Sequence, residues 1–286
     1  MGAELARRSP LARETFAEAS QILGFDLLKL CSEGPAEQLN RTQYSQPALF
    51  VHSMAALRQL ESERPELWGQ VVGVAGLSLG EYTAVTAAGG MDFASGVRLV
   101  QLRGAAMQAA ADAVASGMSS VLGLEAAALQ AICQQASTDQ EMVRVANLLC
   151  PGNIAISGHV AAVDRAEPLC LAAGALKVVR LQVAGAFHTP LMQPAVATLE
   201  AALKQVPFVE TRVPVYSNVD AAPHTQPADF GRLLAQQVVA PVQWQASLEN
   251  MLAAGCEQFI EIGSGRVLAG TLKRIQRKIA CEHVGD

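Results

Sequence analysis

Gly76-Leu77-Ser78-Leu79-Gly80 stands between an apolar run, Val71-Val72-Gly73-Val74-Ala75, and a helix-forming stretch, Glu81-Tyr82-Thr83-Ala84-Val85-Thr86-Ala87-Ala88. Strand, tight turn and helix with a serine at the apex is the context of a nucleophile elbow. Glycines let the backbone turn without a Cβ clash, so the hydroxyl stands clear of the sheet. The helix that follows begins with unpaired N–H groups and a partial positive charge. The N–H of Leu79 is therefore a candidate oxyanion donor. Glu81, in the first turn, suits the same dipole. A purely structural turn is the competing reading of these five residues.

Outward from this point, composition narrows the field. The 286-residue chain can bury a large core, as one domain or as a domain with an insertion. At 51% hydrophobic and 16% charged residues it is globular rather than disordered. No apolar run approaches the ~20 residues of a membrane span. The N-terminus has no hydrophobic signal core, so a cytoplasmic protein that does not engage a membrane is expected. Met1-Gly2 is not a myristoylation signal, because Ala6 stands where Ser or Thr is required. Cysteines 31, 133, 150, 170, 256 and 281 are scattered without a C-x-x-C pair, which predicts reduced, packed thiols and no metal. The net charge of −5 argues against a nucleic-acid partner. Lys273-Arg274 and Arg277-Lys278 form a basic face, read either as a solvated helix surface or as a docking site for an acidic partner.

Helices are expected over 11–30, from Pro47 through Leu60, and over 92–114 with Asp92 as N-cap. Strands are expected at 119–123, 143–147, 153–157 and 175–183, with helices at 125–136 and 160–173. That β-α-β-β-α-β order is the ferredoxin-like unit. The expected fold is therefore α/β: a hydrolase-like parallel-sheet main domain at 1–116 and 184–286, with a ferredoxin-like subdomain inserted at 117–183. A cleft between them would suit a substrate.

Ser78 needs a base to become a nucleophile. Of five histidines (His52, His159, His188, His224 and His283), His188 leads. It lies in Val183-Ala184-Gly185-Ala186-Phe187-His188-Thr189-Pro190, where the insertion re-enters the main body and small residues allow close approach. Arg103 is the one arginine of Gln101-Leu102-Arg103-Gly104-Ala105-Ala106-Met107-Gln108, an otherwise apolar, alanine-rich helical stretch. It reads as a carboxylate partner, whose fork pairs both oxygens, or as an ordinary snorkelling side chain. No acid is evident as a third triad member. Asp220 and Glu261 are available, but spacing selects neither.

Taken together, these motifs resemble the malonyl-CoA:acyl carrier protein transacylases and, less closely, the acyltransferase domains of polyketide synthases. The resemblance rests on Ile22-Leu23-Gly24-Phe25-Asp26-Leu27, Gln46-Pro47-Ala48, the elbow with Glu81-Tyr82, and Gln101-Leu102-Arg103-Gly104. Gly185-Ala186-Phe187-His188 and Glu261-Ile262-Gly263-Ser264-Gly265 continue it. It implies Ser78 as the acylated nucleophile, His188 as its base and Arg103 as the partner of the malonyl carboxylate. It assigns the backbone carbonyl of Gln237 to orienting the histidine, and Met107 and Val267 to the acyl pocket. Leu79 and Phe187 fit a malonyl rather than a methylmalonyl preference. The implied activity is ping-pong transfer of malonate from malonyl-CoA to the phosphopantetheine thiol of acyl carrier protein for fatty acid biosynthesis. No bound cofactor is implied, and a monomer is expected.

Two positions depart from the family pattern. Leu77 stands where many relatives carry histidine. Relatives also begin with an apolar strand and a Gly-Gln-Gly-x-Gln loop upstream of the position matching Met1-Gly2. Neither is present here, and the expectation is a longer native chain. The alternatives are a polyketide-type acyltransferase, an impaired homologue that still binds the carrier protein, and a serine esterase of the α/β-hydrolase class.

Overall fold

The structure, a computed structural model, describes residues 1–285. Nine strands follow one another: β1 Val74–Ala75, β2 Ser116–Leu122, β3 Val143–Cys150, β4 Asn153–His159, β5 Lys177–Arg180, β6 Val215–Tyr216, β7 Pro223–His224, β8 Gln258–Ile262 and β9 Ala280–Val284.

The segment between residues 116 and 180 folds as β2, helix Ala126–Ala136, β3, β4, helix Val160–Ala172 and β5. Its four strands lie in the order β3-β4-β2-β5, every neighbour antiparallel. This is the ferredoxin-like arrangement. The two helices and the sheet share one core, in which Val121, Leu129, Ile156 and Val163 are buried. A second small cluster, Met118, Ala146 and Ala155, packs against Phe187 of the main body. β3 also bridges to the main body: Leu148 N–H donates to Val242 O (2.9 Å) and Val242 N–H to Ala146 O (2.8 Å).

In the main body, β1 pairs in parallel with β6, and β7 closes that sheet antiparallel. β8 and β9 form a separate parallel pair. The expected single parallel sheet is thus divided in two. A cavity of about 380 Å³, lined by Val71–Ala75 on one side and Gln258–Ile262 on the other, lies between the halves. It touches Gly76 and Gly80 but none of Ser78, Arg103, His188 or Gln237.

Helices Thr42–Glu63 and Phe93–Ala113 pack against each other in the core. Gly104 permits this: a Cβ there would stand 2.5 Å from Thr42 O. Close approach brings Arg103, one residue earlier, against the first turns of the partner helix.

Several helix boundaries differ from expectation. The 11–30 helix is two, Pro10–Leu23 and Leu27–Glu33. Gly24 ends the first in the left-handed region (φ 78°), and the Asp26 carboxylate caps the second by accepting from Lys29 N–H. Pro47 does not open its helix but sits in the second turn of Thr42–Glu63. Asp92 caps Phe93–Ala113 as expected, accepting from Ser95 N–H at 2.8 Å. The strand expected over 175–183 is shorter, Lys177–Arg180.

Candidate active site

Ser78 has φ 50° and ψ −104°, a conformation that non-glycine residues rarely adopt. Three contacts hold it there. Its N–H donates to Asn218 Oδ1 (2.6 Å), its carbonyl accepts from Gln237 Nε2 (2.8 Å), and Asn218 Nδ2 donates to Gly76 O on the incoming strand (2.8 Å). A side chain at Gly76 would collide with the carbonyl group of Gly80, so the turn can close only over a glycine. Leu79 is the first residue of helix Leu79–Ala87, and its N–H cannot be used inside the helix.

His188 reaches this serine across the fold. It too has a positive φ, 60°, in the loop that follows β5. That loop is anchored by Ala186 N–H on Ser116 Oγ (3.1 Å) and by Thr189 Oγ1 on Ala186 O (2.7 Å). Nε2 lies 2.8 Å from Ser78 Oγ, and Nδ1 lies 2.9 Å from Gln237 O. A carbonyl can only accept, so Nδ1 carries the proton and Nε2 offers its lone pair to the serine hydroxyl. No carboxylate is needed to fix that tautomer. Burial first, and the Arg103 charge second, lower the imidazole pKa to about 4. A depressed pKa keeps a histidine neutral down to that pH, so the Nε2 lone pair is free to accept a proton throughout the neutral range. An NMR titration should show no protonation of His188 between pH ~5 and ~8, whereas an unperturbed histidine titrates near ~6.5. A midpoint near that ordinary value would contradict this environment.

Arg103 is 1% exposed, which rules out the snorkelling alternative. Its NH1 donates to Gln46 Oε1 (2.7 Å), and its NH2 donates to both Ser78 Oγ and Gln237 Oε1 (3.0 Å each). The Tyr82 ring lies under the guanidinium, 5.2 Å from ring centroid to Cζ. A buried cation beside a reactive hydroxyl can pair with an anionic group carried by a substrate. Gln46 and Gln237 accept from NH1 and NH2 meanwhile, while the buried Nε has no hydrogen-bond partner among the described residues.

Two residues of this cluster escaped the sequence reading. Asn218 lies in Ser217-Asn218-Val219, which carries no spacing signal. Glu81, expected as a first-turn partner of the helix dipole, is instead buried, with Oε2 accepting from Gln237 Nε2 (2.5 Å) and Asn218 N–H (3.2 Å). Burial raises its pKa to about 7, against the hydrogen bonds from Gln237 and Asn218 and the Arg103 charge, which all lower it.

The remaining candidates divide. Met107 is buried one helical turn beyond Arg103, its sulfur 3.6 Å from Gln46 Nε2. Phe187 is half-buried beside His188. Val267 is 68% exposed at the start of helix Val267–Ile275, not enclosed in a pocket wall. Glu261 fixes that helix end by accepting from Leu268 and Ala269 N–H (2.9 and 2.8 Å), and Asp220 pairs with His224 (3.1 Å). Neither acid serves His188. No group of acidic, histidine or cysteine side chains suited to a metal occurs among the described residues.

The sequence pattern of the acyl transferase domain matches residues 1–283. The chain is 42% identical to the malonyl CoA-acyl carrier protein transacylase of Salmonella typhimurium over 278 residues, 96% of this chain and 88% of that protein. It is 38% identical to the Bacillus subtilis enzyme of the same name, over 100% of this chain and 89% of that one. Among solved structures, the malonyl CoA-acyl carrier protein transacylase of Coxiella burnetii superposes with a TM-score of 0.95, 36% identity and coverage of 100% and 89%. A malonyl-transacylase solved in complex with a type II polyketide synthase acyl-carrier protein superposes equally well, at 0.95 with 37% identity and coverage of 100% and 91%. With the whole length matched by sequence and by structure, the chain belongs to the acyl transferase domain family.

Proposed function

We propose that this protein transfers a malonyl group from malonyl-CoA to the phosphopantetheine thiol of acyl carrier protein, through an ester on Ser78. The observation that carries the reading is the buried Arg103 guanidinium, 3.0 Å from the same Ser78 Oγ that lies 2.8 Å from His188. A serine with a base alone would suit any acyl transfer. A serine with a base and a desolvated cation suits an acyl group that ends in a carboxylate.

The chemistry follows from the positions of the protons. His188 Nε2 takes the Ser78 proton as Oγ attacks the thioester carbonyl, and the Leu79 N–H receives the developing oxyanion. The imidazolium returns its proton to the departing CoA sulfur, leaving malonyl-Ser78. In the second half-reaction His188 takes a proton from the carrier thiol, which attacks the ester, and Ser78 Oγ recovers that proton. Gln237 O holds the imidazole through both halves, and Met107 and Phe187 wall the acyl group. Val267, exposed where it stands, would meet only the outer part of a substrate.

Residues 117–183 are taken as the small subdomain, and 1–116 with 184–286 as the catalytic one. The catalytic groups meet within a single chain, so the site is complete without a second copy, and a monomer is proposed. Six free cysteines, five of them buried, support a reducing, cytoplasmic setting. No helix among the described residues is long and apolar enough to cross a membrane.

Intact-protein mass after brief exposure to malonyl-CoA tests the reading. One malonyl increment is expected, discharged by a carrier-protein thiol and only slowly by water. Failure to load would refute malonyl transfer, and discharge by water as fast as by thiol would favour the esterase alternative. Arg103→Ala should lower malonyl loading at least about 100-fold relative to acetyl loading, because the acyl carboxylate would lose its buried partner. Competition between the two CoA esters measures the ratio, and an unchanged malonyl preference would remove Arg103 from substrate recognition.

A further inference from the structure

Glu81 is a buried, titratable group that no step above uses. It sits at the third position of helix Leu79–Ala87, three residues after Ser78. An exposed acid at that position would merely complement the helix dipole. This one is 2% exposed and lies against the residues that hold the nucleophile and the base.

We propose that Glu81 is a positioning residue for acyl transfer, fixing the side-chain amide of Gln237 and through it both His188 and Arg103. The inference rests on the function proposed above. Its argument is one of donors and acceptors. An ionised carboxylate only accepts hydrogen bonds, and a guanidinium only donates them. The Gln237 amide is held between the two, with Nε2 2.5 Å from Glu81 Oε2 and Oε1 3.0 Å from Arg103 NH2. Only one orientation satisfies both neighbours. A flipped amide would set oxygen against carboxylate and N–H against guanidinium.

The oriented amide touches two other groups directly, Nε2 donating to Ser78 O (2.8 Å) and Oε1 accepting from Arg103 NH2 (3.0 Å). By fixing its residue it also steadies the Gln237 backbone carbonyl, which accepts from His188 Nδ1–H (2.9 Å). Glu81 has a second hold on the elbow. It accepts from Asn218 N–H (3.2 Å), and the Asn218 side chain spans Ser78 N–H (2.6 Å) and Gly76 O (2.8 Å). One carboxylate thereby ties the nucleophile's backbone, the acceptor of the base and the acyl-binding cation into a single arrangement.

Protonation would loosen it. A neutral carboxyl group both donates and accepts, so it no longer dictates which end of the amide faces it. The charged and titratable groups facing Glu81 are the Arg103 guanidinium and the Tyr82 phenol, and Ser217, Asn218 and Gln237 are its neutral neighbours. Burial carries its pKa to about 7, whereas His188 titrates far lower, near 4. An acid limb near neutrality therefore belongs to Glu81 and not to the base.

Single-turnover loading of the full chain by malonyl-CoA, followed by quench and intact mass from pH ~5.5 to ~8.5, tests this for the native protein and for Glu81→Gln. The glutamine keeps the shape and loses the obligate acceptor, so it should behave at every pH as the native protein does when protonated. Native loading is expected to fall about tenfold through a single inflection near pH 7, with the rate at saturating malonyl-CoA affected more than the half-saturating concentration. Glu81→Gln should load about tenfold more slowly at pH ~8, show no inflection, and discriminate less sharply between malonyl-CoA and acetyl-CoA. A variant with the native rate and the native inflection would overturn the proposal. Should the variant fail to fold, the native curve decides alone, and a flat profile across neutrality would overturn it equally. A native protein that never loads would instead refute the malonyl-transfer reading, and this inference with it.

Discussion

Ser78→Ala is expected to take up no malonyl group from malonyl-CoA and to transfer malonate about 10⁴- to 10⁶-fold more slowly than the native protein. The covalent route begins at one oxygen, and nothing else in the cluster can replace it. Gln46, Asn218 and Gln237 carry amides, Arg103 remains a cation, and Glu81 is screened by the Gln237 side chain. His188→Ala should come close to the same loss, because the serine hydroxyl has no other base within reach of its proton. The informative variant is the double one. Hydroxyl and imidazole act as a unit, so losing both should cost no more than losing Ser78 alone. Quenched-flow transfer to carrier protein, with intact mass as the companion, separates the cases. Additive losses would mean that the 2.8 Å contact between Ser78 Oγ and His188 Nε2 is not used as a proton path.

Gly76→Ala should be the most damaging change in the elbow that leaves every reacting atom in place. The added methyl would overlap the carbonyl of Gly80, a backbone group that cannot swing aside as a side chain would. Relief requires the strand and helix to part, at about 3 kcal/mol, which for a chain of this size lowers Tm by roughly 6–12 °C. The serine would move with the turn, so loading with malonyl-CoA should collapse even where protein remains folded. Gly80→Ala is the control. A Cβ there meets nothing within 4 Å, and alanine is the better helix former, so its melting temperature should stay near the native value. Thermal melts of the two variants side by side decide the matter. Equal damage from both would show that the clash at Gly76 is not what closes the turn.

That contrast marks where the sequence stops being readable. Gly76 and Gly80 are equivalent in a motif, yet only the first is sterically forced, and the distinction lies in how near the helix backbone returns to the strand. The β-α-β-β-α-β order was legible because alternating apolar strands and amphipathic helices leave a local periodic trace. The elbow was legible for the same reason. Arg103 was not, since an arginine in an alanine-rich helix is written identically whether it faces solvent, as Arg98 of the same helix does, or core. The burial of Arg103 depends on Gly104 letting two helices close together. Glu81 misled outright: a first-turn acid signals a dipole partner, while its actual partners are Gln237 and Asn218, 156 and 137 residues away. The break at Gly24 is written in the sequence as a glycine followed two residues later by a capping aspartate, a local signal that outweighs the helical periodicity of 11–30.

The bridge from β3 to Val242 bears on how acyl groups are sorted. Val242 lies five residues beyond Gln237, whose carbonyl holds the imidazole, and its backbone is laddered to Ala146 and Leu148 of the small sheet. Joining the two lobes at that point favours a cleft shaped in advance over one that swings shut on a substrate. A wall fixed in advance turns away chains that are too bulky but admits every chain that is smaller. Steric selection therefore sets only an upper limit on the acyl group. Under the proposed function, the lower limit, the refusal of acetyl, would fall to the single buried positive charge of Arg103.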